Sequence, residues 1–97
     1  MKELIWKFEL KVTDRFPIRV DLPQTAEILS TGAVGDQMFI WVKFSKEAKD
    51  LARVPRYFEV FGTGHDIHCD MGIDRKFIGT AFMHNGSLVW HVFERLD

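Results

Sequence analysis

The first twelve residues alternate between apolar and mainly polar side chains, a period of two that is typical of a half-buried strand. The pattern breaks over residues 14–17 and resumes over residues 18–22. Pro23 follows and ends the second run, because proline cannot donate a hydrogen bond to a strand ladder. The sequence therefore predicts two strands here. The apolar set of the first comprises Leu4, Trp6, Phe8, Leu10 and Val12.

The middle of the chain predicts a hairpin that is apolar on both sides. A third strand is expected from Glu27 to Val34, and Gly35 and Asp36 supply the turn before the return strand. That strand places Met38, Ile40, Val42 and Phe44 on one face. Phe39 and Trp41 fall on the opposite face, where a one-sided sheet would carry polar groups, so both faces are expected to be covered.

The segment from Ser45 to Arg53 is the one stretch with helical character. Ser45 is a suitable N-cap and good helix formers follow it, which predicts one or two turns. A further strand, again apolar on both sides, is predicted from Arg56 to Phe61. The next residues, Gly62 to Asp74, contain three glycines and three aspartates without periodicity and are expected to form the longest loop.

A hairpin is predicted near the end of the chain, because Asn85-Gly86 is the preferred pair for a two-residue type I′ turn. If His84 lies opposite Ser87, the register of both strands follows. One face then pairs Met83 with Leu88, Ala81 with Trp90, and Gly79 with Val92. The other pairs Phe82 with Val89, Thr80 with His91, and Ile78 with Phe93.

These elements predict a single all-β domain over residues 1–97, mainly antiparallel: a small sandwich or barrel of about seven strands with at most one short helix. Many strands are apolar on both faces, and a small domain has little material to cover both. We therefore expect a homo-oligomer. The aromatic residues on the second faces are Phe39, Trp41, Tyr57, Phe61, Phe82 and Phe93.

Composition and charge narrow the class of protein. The chain is 46% apolar and carries a net charge of −1, which excludes a disordered tail and any global basic field for duplex nucleic acid or an anionic membrane. Its single cysteine, Cys69, cannot form an internal disulfide, and the first residues lack the apolar core of a signal peptide. No apolar run approaches the roughly 20 residues of a membrane-spanning helix. A cytoplasmic protein is expected.

The string Gly62-Thr63-Gly64-His65 is one candidate ligand site. Two glycines around a threonine allow backbone N–H groups to converge on an anion such as phosphate, with Thr63 and His65 as further donors. The alternative, which is commoner for a short Gly-x-Gly string, is a tight exit from the preceding strand.

Aromatic residues beside cations are the second ligand-binding signal. Trp41 with Lys43 and Tyr57 with Arg56 could stack on a base while the cation contacts its phosphate. Trp90 with His91 is a third such pair. Most large aromatic residues in a small domain belong to the core, however, so only exposed rings would serve.

A metal site is the alternative use of the long loop, where His65, Asp66, His68, Cys69 and Asp70 supply zinc-type ligands within six residues. Structural zinc sites usually draw ligand pairs from two separate segments. The second pair would have to come from His84 and His91, so we expect an ordinary polar loop. Cys69 next to His68 is also a poor nucleophile–base pair. With no catalytic or cofactor-binding motif, we expect a non-enzyme without metal or cofactor.

The whole chain resembles a family of small uncharacterised phage and prophage proteins, known as a domain of unknown function. Five strings carry the resemblance, in order along the chain: Thr13-Asp14-Arg15, Ala26-Glu27-Ile28-Leu29-Ser30, Phe61-Gly62-Thr63-Gly64-His65, Phe77-Ile78-Gly79-Thr80 and Leu88-Val89-Trp90-His91-Val92-Phe93-Glu94. Phe16 and Pro17 depart from the pattern, and His68 and Cys69 lie outside these strings. The resemblance implies a protein of the host cytoplasm, and several phage families of this size sequester nucleotide signals.

Two functions are expected from these observations. The first is a non-enzymatic anti-defence protein that sequesters a small anionic ligand, a cyclic or ADP-ribose-type nucleotide, between subunits. Its site would comprise Gly62, Thr63, Gly64, His65, Arg56, Tyr57, Trp41 and Lys43. The alternative is an inhibitor or adaptor that binds a host or phage protein through an aromatic patch or a sheet edge. A metal-dependent hydrolase using His65, His68 and Asp70 is a third possibility.

Overall fold

The computed structural model describes residues 2–13, 17–67 and 73–96, and it confirms the all-β prediction. The described residues form seven antiparallel strands: β1 (Glu3–Glu9), β2 (Ile18–Leu22), β3 (Glu27–Val34), β4 (Gln37–Ser45), β5 (Val54–Gly62), β6 (Arg75–Met83) and β7 (Leu88–Arg95). The predicted helical segment is a single 3-10 helix, Lys46–Asp50, and a second short one spans His84–Gly86. Neither helical segment of the described chain is long and apolar enough to cross a bilayer.

The strands form two sheets whose inner faces enclose the core. The three-stranded sheet has the order β1-β4-β3 and the four-stranded sheet the order β2-β5-β7-β6. The apolar alternation of β4 supplies its inner face as predicted, and Ile40, Val42 and Phe44 are fully buried there. Val12 is an exception, because β1 ends at Glu9 and leaves Val12 40% exposed.

A polar cluster joins the two sheets at one end of the core. Arg56, on the inner side of β5, forms two hydrogen bonds to the Glu94 carboxylate of β7, one of them from Nη2 at 2.9 Å. Its Nη1 donates to the carbonyl oxygen of Ala26, just before β3, at 2.9 Å. Glu94 is only 5% exposed, so this pair compensates a buried charge. Arg56 is therefore a structural link between the sheets.

The sheets approach each other most closely between β3 and β6. A Cβ atom at Gly79 of β6 would lie 3.2 Å from Cγ2 of Thr31 of β3. The Thr31 side chain is held by a 2.8 Å hydrogen bond from its Oγ1 to the carbonyl oxygen of Phe39. A glycine at position 79 thus permits a close approach of two strands from different sheets.

The last hairpin follows most of the predicted register. Its five pairs from Gly79–Val92 to Met83–Leu88 are confirmed. Asn85 and Gly86 have φ of 56° and 88°, as a type I′ turn requires, and the Ser87 N–H donates to the His84 carbonyl at 3.1 Å. His84 also has positive φ, so the ladder stops at Met83–Leu88. The predicted pairing of Ile78 with Phe93 is wrong: a bulge between residues 77 and 79 places Phe77 opposite Phe93 instead.

The aromatic residues predicted for the second faces do lie on the outer sides of the sheets, but they differ in exposure. Phe82 is 63% and Tyr57 is 37% exposed. Phe39 and Phe61 are each only 8% exposed, because neighbours on the same outer face cover them. The Lys7 ammonium lies 4.5 Å from the Phe39 ring centroid, for example. Part of the surplus apolar surface is therefore covered within the chain.

Candidate functional site

The predicted anion-binding string forms a tight turn at the end of β5. Gly64 has a φ of +87°, a conformation that favours glycine. The Thr63 N–H donates to the carbonyl of Val89 at 3.3 Å, and the His65 N–H donates to the carbonyl of Gly62 at 3.0 Å. Because these two amides already have backbone acceptors, the geometry favours the tight strand exit over an open anion nest.

The same turn contributes to a small cleft beside Trp90. The His65 ring lies over Gly62, where a Cβ atom would come within 2.7 Å of it, and packs edge-on against Trp90 with centroids 6.4 Å apart. The cleft has a volume of about 170 Å³. Its lining residues are Gly62, Thr63, His65, Ser87, Leu88, Val89 and Trp90.

A larger cleft of about 310 Å³ shares Leu88 and Trp90 with the first. Met38 and Met83 add apolar surface, while Glu9, Lys11 and Asp36 add charges of both signs. We call the two cavities together the Trp90 clefts. The larger one is at the lower limit of size for a small-molecule site.

The remaining predicted ligand residues lie elsewhere. Arg56 is five strand positions before Phe61, roughly 17 Å along β5, and is bonded to Glu94. Tyr57 is on the outer face of β5. Trp41 and Lys43 are on the outer face of the other sheet, where the hydrogen bond and charge of Glu27 raise the pKa of Lys43. Of the predicted ligand residues, the fold therefore brings together only those of the turn after β5, Gly62 to His65.

The described residues contain no group of three or more potential metal ligands. His68, Cys69 and Asp70 of the metal and nucleophile alternatives lie outside the described residues. His91 is held between two hydroxyl groups: its Nε2 lies 2.8 Å from Thr63 Oγ1 and its Nδ1 lies 3.1 Å from Thr80 Oγ1. Both ring nitrogens of His91 thus have hydrogen-bond partners in the sheet.

The most unusual surface of the described chain is the outer side of the four-stranded sheet. We call it the aromatic face and define it by Tyr57, Phe77, Phe82 and Phe93. Phe77 and Phe82 are 55% and 63% exposed, and the Phe77 and Phe93 rings lie 5.3 Å apart. Tyr57 belongs to a row of directly paired residues that crosses the sheet beside Phe77 and Phe93. In order across the sheet, the row is Arg19, Tyr57, Arg95 and Arg75.

A buried carboxylate lies within the aromatic face. Glu59 is 6% exposed although it is on the outer side of β5. Arg75 donates to its two carboxylate oxygens from Nε at 2.6 Å and Nη2 at 3.4 Å, and Arg95 Nε is 4.0 Å away. The Arg75 guanidinium also lies 5.8 Å from the Phe61 ring centroid. These contacts hold the Arg75 guanidinium against the outer surface of the sheet, between Glu59 and Phe61.

The alternation of apolar residues located most of the aromatic face, but it missed Phe77. The predicted register placed Ile78 opposite Phe93 and so left Phe77 facing inward. The bulge reverses the facing of Phe77. Gly79, which borders the bulge, is the signal that could have indicated it, because an isolated glycine inside a strand often marks a bulge. Glu59 and Arg75 were missed because they are sixteen positions apart in sequence and lie on different strands, so only the folded sheet brings them together.

Comparison with known proteins supplies a family but no activity. No curated protein and no solved structure matches the chain. One family model, described as a domain of unknown function, matches residues 1–97. The expected membership of an uncharacterised family is thus confirmed, while the phage origin stays a prediction. Because the match spans every residue, the chain belongs to the family DUF7352, a domain of unknown function.

Proposed function

We propose that this protein is a non-enzymatic, cytoplasmic, phage-type adaptor or inhibitor that binds another protein through the aromatic face. The observation that supports this is the exposure of Phe77 and Phe82, at 55% and 63%, on the same outer side of the four-stranded sheet. Phe77 adjoins Phe93, and Phe82 lies on the same strand beyond the polar Thr80–His91 pair. Large exposed apolar side chains on one face are a common mark of a protein interaction site. The function is therefore recognition of a folded partner.

The composition of the aromatic face defines the chemistry of that partner. Phenylalanine, tyrosine and arginine are the residue types enriched at protein interfaces. Arg19 and Arg95 border the rings, with side chains 60% and 25% exposed; Arg19 donates to Asp21 at 2.9 Å, and Arg95 lies 4.0 Å from Glu59. We therefore expect the partner to present an apolar patch with carboxylates along one side. Covering the exposed parts of Phe77 and Phe82 would contribute about 1–2 kcal/mol each to binding.

The test is a double variant, Phe77→Thr with Phe82→Thr, which removes the exposed rings but keeps residues that favour strands. The matched control is Leu29→Thr with Leu51→Thr, two exposed apolar residues outside the aromatic face. Tagged proteins would be incubated with host lysate and the captured proteins quantified. We expect one stoichiometric partner to bind the parent and the control but to bind the double variant at least about tenfold more weakly. Equal capture by all three proteins would refute the proposal.

A second candidate function is sequestration of a small nucleotide-like ligand in an anti-defence role. It is favoured by the cleft in which Thr63 and His65 lie beside Trp90, because this arrangement offers polar groups next to a ring that could stack on a base. A cyclic or ADP-ribose-type nucleotide is the ligand class that we propose for it. The smaller cleft alone would hold only part of such a molecule.

Ligand sequestration predicts that small molecules released from the denatured protein include a nucleotide. It also predicts that this nucleotide raises the melting temperature of ligand-free protein. Trp90→Leu should abolish the shift, whereas Trp41→Leu, on the other sheet, should retain it. If no nucleotide is released and none shifts the melting temperature, this candidate is wrong.

A further inference from the structure

Strand β1 lies at the edge of the three-stranded sheet and, among the described residues, pairs only with β4. Its outward-facing side chains follow the order Glu3, Ile5, Lys7, Glu9. Ile5 is 59% exposed in the middle of this edge, and the Glu3 side chain is 58% exposed. Edge strands are usually protected from association by charges, so an exposed isoleucine flanked by opposite charges is unusual.

The order of these side chains is complementary to itself in one antiparallel register. If Ile5 of one copy lies opposite Ile5 of a second copy, Glu3 lies opposite Lys7 on both sides of the symmetry axis. Opposite charges and apolar residues placed directly across two strands are stabilising pairs. The same residue contacts its counterpart around a two-fold axis, which is the geometry of a closed dimer.

Neighbouring registers lack this complementarity. A shift by two positions in one direction places Glu3 opposite Glu9 and Ile5 opposite Lys7. A shift by four positions in that direction places Lys7 opposite Lys7. A shift by two in the other direction pairs Glu3 with Ile5. Like charges directly opposite each other are destabilising, and the last of these registers places a charge against the exposed isoleucine, so only the register centred on Ile5 is fully complementary.

The inner side of β1 supports the same arrangement. Leu4, Trp6 and Phe8 point towards the core but are only partly buried, because little of the other sheet covers this edge. In the register centred on Ile5, Leu4 of one copy lies opposite Trp6 of the other. The pairing would therefore cover apolar surface on both sides of the sheet, in addition to forming backbone hydrogen bonds along the edge.

We propose that β1 pairs antiparallel with β1 of a second copy, centred on Ile5, to form a dimer with a continuous six-stranded sheet. This interface is separate from the aromatic face, and it does not depend on the proposed function. It assigns the expected self-association to one strand and one register.

Charge reversal tests the register. Glu3→Lys would place two lysines opposite each other twice in its homodimer, and Lys7→Glu would do the same with two glutamates. Each single variant should weaken dimerisation by at least about tenfold. A mixture of the two variants restores opposite-charge pairing across the strands, so it should form a heterodimer about as stable as the parent dimer. Lys49→Glu, which reverses an exposed charge outside β1, is the control and should leave the dimer intact.

Sedimentation velocity over a range of concentrations would give the dissociation constants, and native mass spectrometry would identify the heterodimer. Recovery in the mixture also shows that both variants are folded. A monomeric parent protein, a dimer insensitive to both reversals, or a mixture that fails to recover would each overturn the proposal. Loss of the dimer in the Phe77→Thr, Phe82→Thr variant but not in the charge variants would instead assign self-association to the aromatic face.

Discussion

The buried carboxylate of the aromatic face should make a measurable contribution to stability. We expect Glu59→Ala to destabilise the protein because Arg75 and Arg95 would then face each other without the carboxylate between them. Glu59 is 6% exposed and accepts two hydrogen bonds from Arg75, at 2.6 Å and 3.4 Å. The Arg75 side chain is itself only 14% exposed.

The free-energy cost of Glu59→Ala depends on how far the arginine side chains can move into water once the carboxylate is removed. Removing one partner of a fully buried ion pair costs about 3–5 kcal/mol. Here the pair lies on an outer sheet surface, so the arginines can turn towards solvent after the change, and we expect about 2–3 kcal/mol for Glu59→Ala. Replacing both partners by Met should cost less than Glu59→Met alone, because the charge of Arg75 is removed with its partner and only Arg95, whose side chain is 25% exposed, is left without the carboxylate.

Urea unfolding followed by circular dichroism would measure these free energies, with Glu59→Met, Arg75→Met and the double variant forming a double-mutant cycle. A loss of about 2–3 kcal/mol corresponds to a decrease in melting temperature on the order of 10 °C or more for a domain of this size. The reasoning is refuted if Glu59→Ala costs less than about 0.5 kcal/mol, the value typical of a neutral surface change. Additive costs in the cycle would likewise show that the pair does not act as a unit.

Three further predictions concern the sheets and the 3-10 helix. Gly79→Ala should destabilise the protein by about 1 kcal/mol in urea unfolding, because the new Cβ meets Cγ2 of Thr31. In a Thr31→Ser background, which lacks that methyl group, the same change should carry no such cost. Ile40→Val should cost about 0.5–1.5 kcal/mol by the same measurement, since Ile40 is fully buried; no loss would contradict its place in the core. The hydrogen bond from the Ser45 hydroxyl to the Glu47 carboxylate lowers the pKa of Glu47. Any stability that this bond adds is therefore fully present above the ordinary glutamate pKa, and it is lost as the pH falls through the lowered pKa of the folded protein. NMR titration should show that Ser45→Ala returns this pKa towards its ordinary value, and an unchanged pKa would exclude the bond as its cause.

Local signals were sufficient for most of the strands. Period-two alternation followed by Pro23 identified β2, and the Gly35-Asp36 turn marked the end of β3; both strands have the predicted bounds. The Asn85-Gly86 pair established five pairs of the last hairpin, since a short turn transmits its register directly to both strands. In this hairpin the predicted register fails at residue 78, where a bulge changes the facing of the preceding residues.

The candidate ligand site was less predictable, because it depended on residues far apart in sequence. Arg56 was interpreted as a cation for phosphate, yet the fold pairs it with Glu94, thirty-eight residues away. Arg56 and Tyr57 are adjacent in sequence, but they lie on opposite faces of β5, because successive residues of a strand face opposite sides. Their adjacency therefore did not indicate a shared site. Trp90 reached the turn after β5 only through the pairing of β5 with β7.

The amino-acid sequence by itself determined that this is an all-β protein with apolar residues on both sides of its strands. It did so because strand periodicity is a local property of the chain. Only the tertiary structure decided which outward rings stay exposed: Phe61 is covered beside Phe93 and Arg75, whereas Phe77 and Phe82 remain open. The physical reason is that the cover of a ring comes from neighbouring strands, whose identity and register are set by long-range pairing and by a single bulge.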